Sequence, residues 1–87
     1  MQISARLYGT LRRFSSPGTP GRWQGQVPDG CTIAGLIAIL GSRLEEVAAA
    51  AVNGEPVVLE AILHEGDTVT LVTPVGGGSN EPASTML

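Results

Sequence analysis

Only one stretch of this chain has helical periodicity, and the segments on either side of it alternate like strands. Ile33, Leu36, Ile37 and Leu40 fall at i, i+3, i+4 and i+7, which makes one apolar helical face. Thr32 is placed to cap that helix, and Gly41 to end it as a C′ residue. Before it, Ile3, Ala5 and Leu7 alternate with Gln2, Ser4 and Arg6, and Trp23-Gln24-Gly25-Gln26-Val27 alternates again. After it, Val69 and Leu71 alternate with Thr70 and Val72. A lone amphipathic helix must bury its stripe against something, and here the partner is a sheet. Tyr8, Phe14 and Trp23 are the only aromatic residues, so the core is built from Leu, Ile, Val and Ala.

The segments between are turns and short elements. Arg12 to Arg22 contains Ser15-Ser16-Pro17-Gly18-Thr19-Pro20-Gly21 and reads as an irregular loop. Pro28-Asp29-Gly30 stops the second strand. Leu44 to Val52 is mixed: its alanines favour helix, yet Asn53-Gly54 is a hairpin signal of the type I′ kind. The segment divides into a short helical turn over Leu44 to Glu46 and a strand ending at Val52. Pro56 confines the returning strand to an edge. Leu59 to Leu63 is expected to form a short helical turn, and His64-Glu65-Gly66-Asp67 a tight one. The last strand, with Val72 also apolar, is expected to be central and buried on both faces. The order strand, strand, helix, strand, short strand, strand predicts an α+β fold of the β-grasp type. One main helix crosses a mixed sheet of four to five strands.

The chain has 87 residues, and without the nine from Ser79 onward 78 remain, enough for one domain near the lower limit of a single core. Cys31 is the only cysteine and His64 the only histidine, so no internal disulfide forms and a metal site is not expected. Cys31, just before the helix, is expected to be a small inert residue, although a thiol near a helix N-terminus can have a lowered pKa. Met1 to Tyr8 lacks the form of a secretory signal, and Ile33 to Leu40 is too short to span a bilayer. A cytoplasmic protein is the expectation. The net charge of −3 argues against a general nucleic-acid surface. Charge is unevenly spread: residues 1–43 carry five Arg and one Asp, residues 44–87 seven acids and no base. Whether a patch survives folding is open at this level. Arg12 and Arg13, Glu45 and Glu46, and His64 read as solvated surface. There is no lysine, so the chain cannot build lysine-linked chains with itself.

Directly after the last strand stands Gly76-Gly77-Gly78, followed by Ser79 to Leu87, which has no hydrophobic periodicity. A domain that ends in a strand and then glycines presents a thin arm able to thread a narrow channel, because glycine has no Cβ. The expected organisation is a domain over 1–78 and a tail over 79–87. A plain flexible linker is the other reading of the same residues.

Several local signatures, in order, resemble the ubiquitin-like sulfur-carrier family, which includes the small subunit of molybdopterin synthase and the thiamine-pathway sulfur carrier. They are Arg6-Leu7-Tyr8-Gly9-Thr10-Leu11-Arg12, Pro28-Asp29-Gly30-Cys31-Thr32-Ile33, Val52-Asn53-Gly54, Leu63-His64-Glu65-Gly66-Asp67-Thr68-Val69 and Pro74-Val75-Gly76-Gly77-Gly78. The last is similar to the molybdopterin-type ending. By that resemblance Gly77 and Gly78 are the reactive pair, Gly78 carries the acyl group, and Gly76 is a spacer. The resemblance implies a carrier or small non-catalytic subunit that binds no cofactor of its own. An E1-like adenylating enzyme would spend ATP on the Gly78 carboxylate, and a sulfur donor would then convert it to a thiocarboxylate. The acceptor would be the molybdopterin synthase large subunit or another sulfur-acceptor enzyme. Pro74, Val75 and Gly76, with Leu71, Leu59 and Ile62 on an apolar patch, would meet these partners. In the typical carrier the second glycine is terminal, so here a JAMM-type metalloprotease is expected to cut between Gly78 and Ser79. A carrier for thiamine or another metabolite, a ubiquitin-like protein modifier, and a non-reactive interaction domain remain as alternatives.

Overall fold

The computed structural model describes residues 1–74. Five strands, β1 (Gln2–Leu7), β2 (Arg22–Gln26), β3 (Ala49–Val52), β4 (Glu55–Val57) and β5 (Thr68–Val72), form one sheet in the order β2-β1-β5-β3-β4. β1 and β5 run parallel, and the other neighbours are antiparallel. The helix α1 (Ile33–Leu40) covers one face. This is the β-grasp arrangement that the order of elements predicts.

The period-two pattern of β1 puts Ile3, Ala5 and Leu7 in the core at 1% exposure or less. They meet Val69 and Leu71 of β5 and the α1 stripe of Ile33, Leu36, Ile37 and Leu40. Thr32 caps α1 through a hydrogen bond from the Gly35 N–H to its Oγ1 at 3.1 Å, and Gly41 ends the helix at φ 94°. The Asn53-Gly54 turn has φ of 52° and 87°, both positive, as a type I′ turn requires. The short helical turn is a 3-10 helix at Leu44–Glu46, as expected.

Three expectations need correction. The first part of the supposed loop is a 3-10 helix, Gly9–Phe14, whose Leu11 is fully buried. Leu59 to Leu63 forms no helical turn; a turn at Leu59 and Glu60 leads to an isolated bridge between Ile62 and Thr32. The physical reason lies in α1, whose first N–H groups have no partner within the helix. Ile33 N donates to Ala61 O at 3.1 Å and Ala34 N to Leu59 O at 2.9 Å, so the carbonyls of the segment serve the helix and are not used in a helical turn of its own. Finally, β5 is central, but only one of its faces is sealed. Thr68, Thr70 and Val72 are half-buried on a sheet face that no second layer among the described residues covers.

Candidate functional site

The glycine segment leaves the domain from the end of β5, so the site is built from what fixes that end. Backbone bonds hold the strand on both sides up to its last residue. Tyr8 N donates to Leu71 O at 3.1 Å, and Ala48 N to Val72 O at 2.7 Å. Thr73 follows, half-buried, and then Pro74, exposed. Val75, Gly76, Gly77 and Gly78, which the sequence singles out, lie outside the described residues.

Thr73 rests on Gly9. Gly9 has φ +64°, and a Cβ built there would lie 2.0 Å from Thr73 Oγ1. Only a residue without a side chain fits, for the backbone angle and for the space. Gly9 thus turns β1 into the 3-10 helix and at the same time lets that turn pack against the exit of β5.

The 3-10 helix is tied in turn to the far end of α1. Glu46 is the hub. It accepts from Thr10 Oγ1 at 2.8 Å, from Ser42 Oγ at 2.6 Å, and from both terminal nitrogens of Arg13. Arg13 Nη1 also donates to Thr10 O at 2.7 Å. The Arg13 hydrogen bonds, followed by those of Ser42 and Thr10, lower the Glu46 pKa to about 2. The same contact raises that of Arg13. The Arg13 guanidinium stacks on the Phe14 ring, 4.2 Å from its centroid. Arg13 and Glu46 lie at the surface, as expected, and there they form a bracket joining Gly9–Phe14, Ser42 and Leu44–Glu46. Residues more than 30 apart in sequence make it, so no local pattern announces them.

The expected interface residues separate. Leu71 is 0% exposed and belongs to the core, because its strand position faces α1. Leu59 packs partly against the core, and Ile62 is exposed, but both sit beside the N-terminus of α1. That end lies with the start of β1, as the Val27 N to Met1 O and Gly66 N to Gln2 O bonds show. The exit of β5 is at the other end of the sheet. Of the apolar set, the described site keeps only Pro74; Tyr8 and Val72, near the exit, were not singled out.

Cys31 is half-buried beside Gly35, and burial pushes its thiol pKa up. His64 is 79% exposed, with Nδ1 3.9 Å from an Asp67 oxygen. Among the described residues no group of three or more His, Cys, Asp or Glu side chains could hold a metal ion. No helix among them is long and apolar enough to cross a membrane.

The five-stranded mixed sheet, the single helix and the exit braced by Gly9 and Thr73 define a ubiquitin-like β-grasp domain. The model of the ThiS family matches residues 6–78, and the chain belongs to that family of small sulfur carriers and ubiquitin-like modifiers. A search of curated proteins gives no match. Among solved structures, SAMP1 from Haloferax volcanii is similar at 21% identity and TM-score 0.65, with 90% of this chain and 100% of that one covered. A putative molybdopterin converting factor subunit 1 from Pyrococcus furiosus is similar at 22% identity and TM-score 0.63, covering 86% and 99%. A complex of subunits 1 and 2 of molybdopterin-converting factor from Helicobacter pylori 26695 contains a chain similar at 24% identity and TM-score 0.58, covering 90% and 100%. At these identities the likeness speaks for the fold.

Proposed function

We propose that this protein is a sulfur carrier for molybdopterin synthesis, made as a precursor whose tail is removed after Gly78. The observation that carries the reading is the extent of the family match, which includes Gly76-Gly77-Gly78 and stops before Ser79. Two of the structural neighbours bear the name of a molybdopterin-converting factor, one of them in complex with its second subunit.

The chemistry follows from the poor reactivity of a carboxylate. A cut between Gly78 and Ser79, by a JAMM-type metalloprotease, frees the Gly78 carboxylate. An E1-like enzyme joins it to AMP from ATP and releases pyrophosphate. Sulfide, delivered by a donor, attacks the acyl carbon; the carbon–oxygen bond to AMP breaks and a thiocarboxylate remains. A larger subunit then takes Gly77-Gly78 into its active site, where the sulfur bonds to a pterin precursor, and water cleaves the Gly78 carbon–sulfur bond to return the carboxylate. The carrier's own part is positioning: a narrow segment launched from a fixed platform. The braced exit at Thr73 supports that part.

A second reading is a ubiquitin-like protein modifier, favoured by the similarity to a structure named small archaeal modifier protein 1. Intact mass spectrometry of the protein from its native cells separates the two. A species ending at Gly78 with one carboxylate oxygen replaced by sulfur supports the carrier. Gly78 joined to lysines of other proteins, with no thiocarboxylate, supports the modifier. Only chains that still carry Ser79 to Leu87 after Gly78 would overturn both.

A further inference from the structure

Folding does not blend the two unevenly charged halves of the sequence; it gathers arginines next to the exit of β5. Arg6 of β1 and Arg22 of β2 are directly paired across the antiparallel ladder, both exposed on the open face of the sheet. Like charges in that position repel and weaken a sheet. The Arg12 guanidinium joins them: its Cζ is 3.6 Å from where a Cβ on Gly21 would sit, one residue from Arg22. Among the described residues none of the three makes an ion pair or a side-chain hydrogen bond, whereas Arg13 has Glu46. Arg6, Arg12 and Arg22 with Tyr8 line a shallow depression of about 200 Å³. A second, of about 180 Å³, continues from Arg6 and Arg22 along Ser4 and Gln24.

Glu46, bonded to the 3-10 helix that carries Arg12, is already held by Arg13, Thr10 and Ser42, and Asp29, Glu65 and Glu55 stand elsewhere. Asp29 lies 3.8 Å from the N-terminal ammonium, and Glu65 accepts from Gln2 N, both at the opposite end of β1. Glu55 is on β4, three strands from β1, roughly 14 Å at ordinary strand spacing and so beyond a physiological screening length. A cluster that costs stability and has no partner among the described residues, on a chain of net charge −3, invites a partner of opposite charge. The three groups are exposed around one shallow depression, which a second extends from Arg6 and Arg22, and none lies in a buried pocket. That footprint suits a run of carboxylates on a protein surface better than a single small anion. Arg6 is also on the strand that leads directly into Tyr8, whose N–H bonds Leu71 O near the end of β5.

We propose that Arg6, Arg12 and Arg22 form a docking site for an acidic segment of the protein that takes up the glycine segment. The uptake part of this statement rests on the carrier reading above. The attraction steers encounter and sets orientation, while the arm makes the productive contact.

The first test is an NMR titration of the full chain with a hexaglutamate peptide and, separately, with inorganic phosphate. Saturable shifts at the Arg6, Tyr8, Gly21 and Arg22 amides, lost in Arg6→Gln/Arg22→Gln and suppressed by 0.5 M salt, are expected. No shifts there, or equal shifts with phosphate, would overturn an acidic-segment site. Thermal unfolding checks the premise: the same variant should melt at or above the wild-type temperature, because a repulsion is relieved; a clear fall would show that the arginines are structural. Finally, thiocarboxylate yield in native cells should drop about tenfold in Arg6→Gln/Arg12→Gln/Arg22→Gln, the scale of an encounter effect. An equal yield would sink the docking role. Absence of thiocarboxylate in the wild type would count against the carrier reading alone, since peptide binding is measured without it.

Discussion

The contact between Gly9 and Thr73 makes a prediction whose size can be worked out. Gly9→Ala places a methyl group in a left-handed backbone position, at about 1–2 kcal/mol. It also puts that methyl 2.0 Å from Thr73 Oγ1, so the threonine must leave its rotamer or the strand end must move. Turning Thr73 aside adds about 1 kcal/mol. The total is about 2–3 kcal/mol, which for a domain of this size lowers the melting temperature by about 10 °C or more. Urea unfolding of a double-mutant cycle separates the two parts. Thr73→Ala removes the oxygen but leaves its own Cβ, 3.2 Å from the added methyl. In that background Gly9→Ala should cost about 1 kcal/mol less than in the wild type, with the backbone share retained. Gly9→Asn is the control, because asparagine tolerates the left-handed region while keeping a Cβ. It should be less damaging than alanine, and should be relieved by Thr73→Ala to the same extent. If the two substitutions are simply additive, Gly9 does not brace the exit through Thr73.

The Glu46 bracket predicts an acid-sensitive contribution. Its folded-state pKa of about 2 lies below the ordinary carboxylate value of 4.5, so the stabilisation is complete above that value and fades as pH falls from there toward 2. Glu46→Gln should therefore melt below wild type at pH 7, with a gap that narrows as the pH drops through this window; a gap independent of pH would refute the linkage. Thr32→Ala should lose about 1 kcal/mol of stability by urea unfolding, with Thr32→Ser close to wild type, and equal losses for both would rule out the cap. Cys31, its thiol pKa raised by burial, should react with iodoacetamide at pH 7 more slowly than free cysteine, and an equal or faster rate would contradict its placement.

The sequence made the repeating elements visible because their physics is local. Period-two alternation gave β1 and β2, the 3.6-residue stripe gave α1, and Asn53-Gly54 fixed the β3–β4 hairpin through its backbone angles alone. The 3-10 helix Gly9–Phe14 has too few residues to show a period, and its bracing comes from Glu46, 33 residues beyond Arg13. The candidate site divides in the same way. Its glycines stand out in the sequence, but the pairing of Gly9 with Thr73 joins positions 64 residues apart. Leu71 was misplaced for a related reason: in Val69-Thr70-Leu71-Val72 both faces carry apolar residues, and only the position of α1 decides which face is closed. Leu59 and Ile62 were grouped with it by hydropathy, whereas the backbone of their segment is drawn to the first turn of α1.

The strand order has a consequence for how the molecule comes into being. Among the described residues β5 is the last strand in the chain, yet it occupies the middle of the sheet, between β1 and β3, which do not pair with each other. Without residues 68–72 the pairs β1–β2 and β3–β4 have no ladder between them. The long-range pairing of residues 4–7 with 68–71 is what joins the sheet, and contacts so far apart in sequence are slow to form. A chain broken off before Val72 has no central strand and gives proteases two loose halves. Every molecule that completes its fold therefore also carries the strand from which the glycine segment departs, and a partner that recognises the folded surface is spared most encounters with carriers that have nothing to offer.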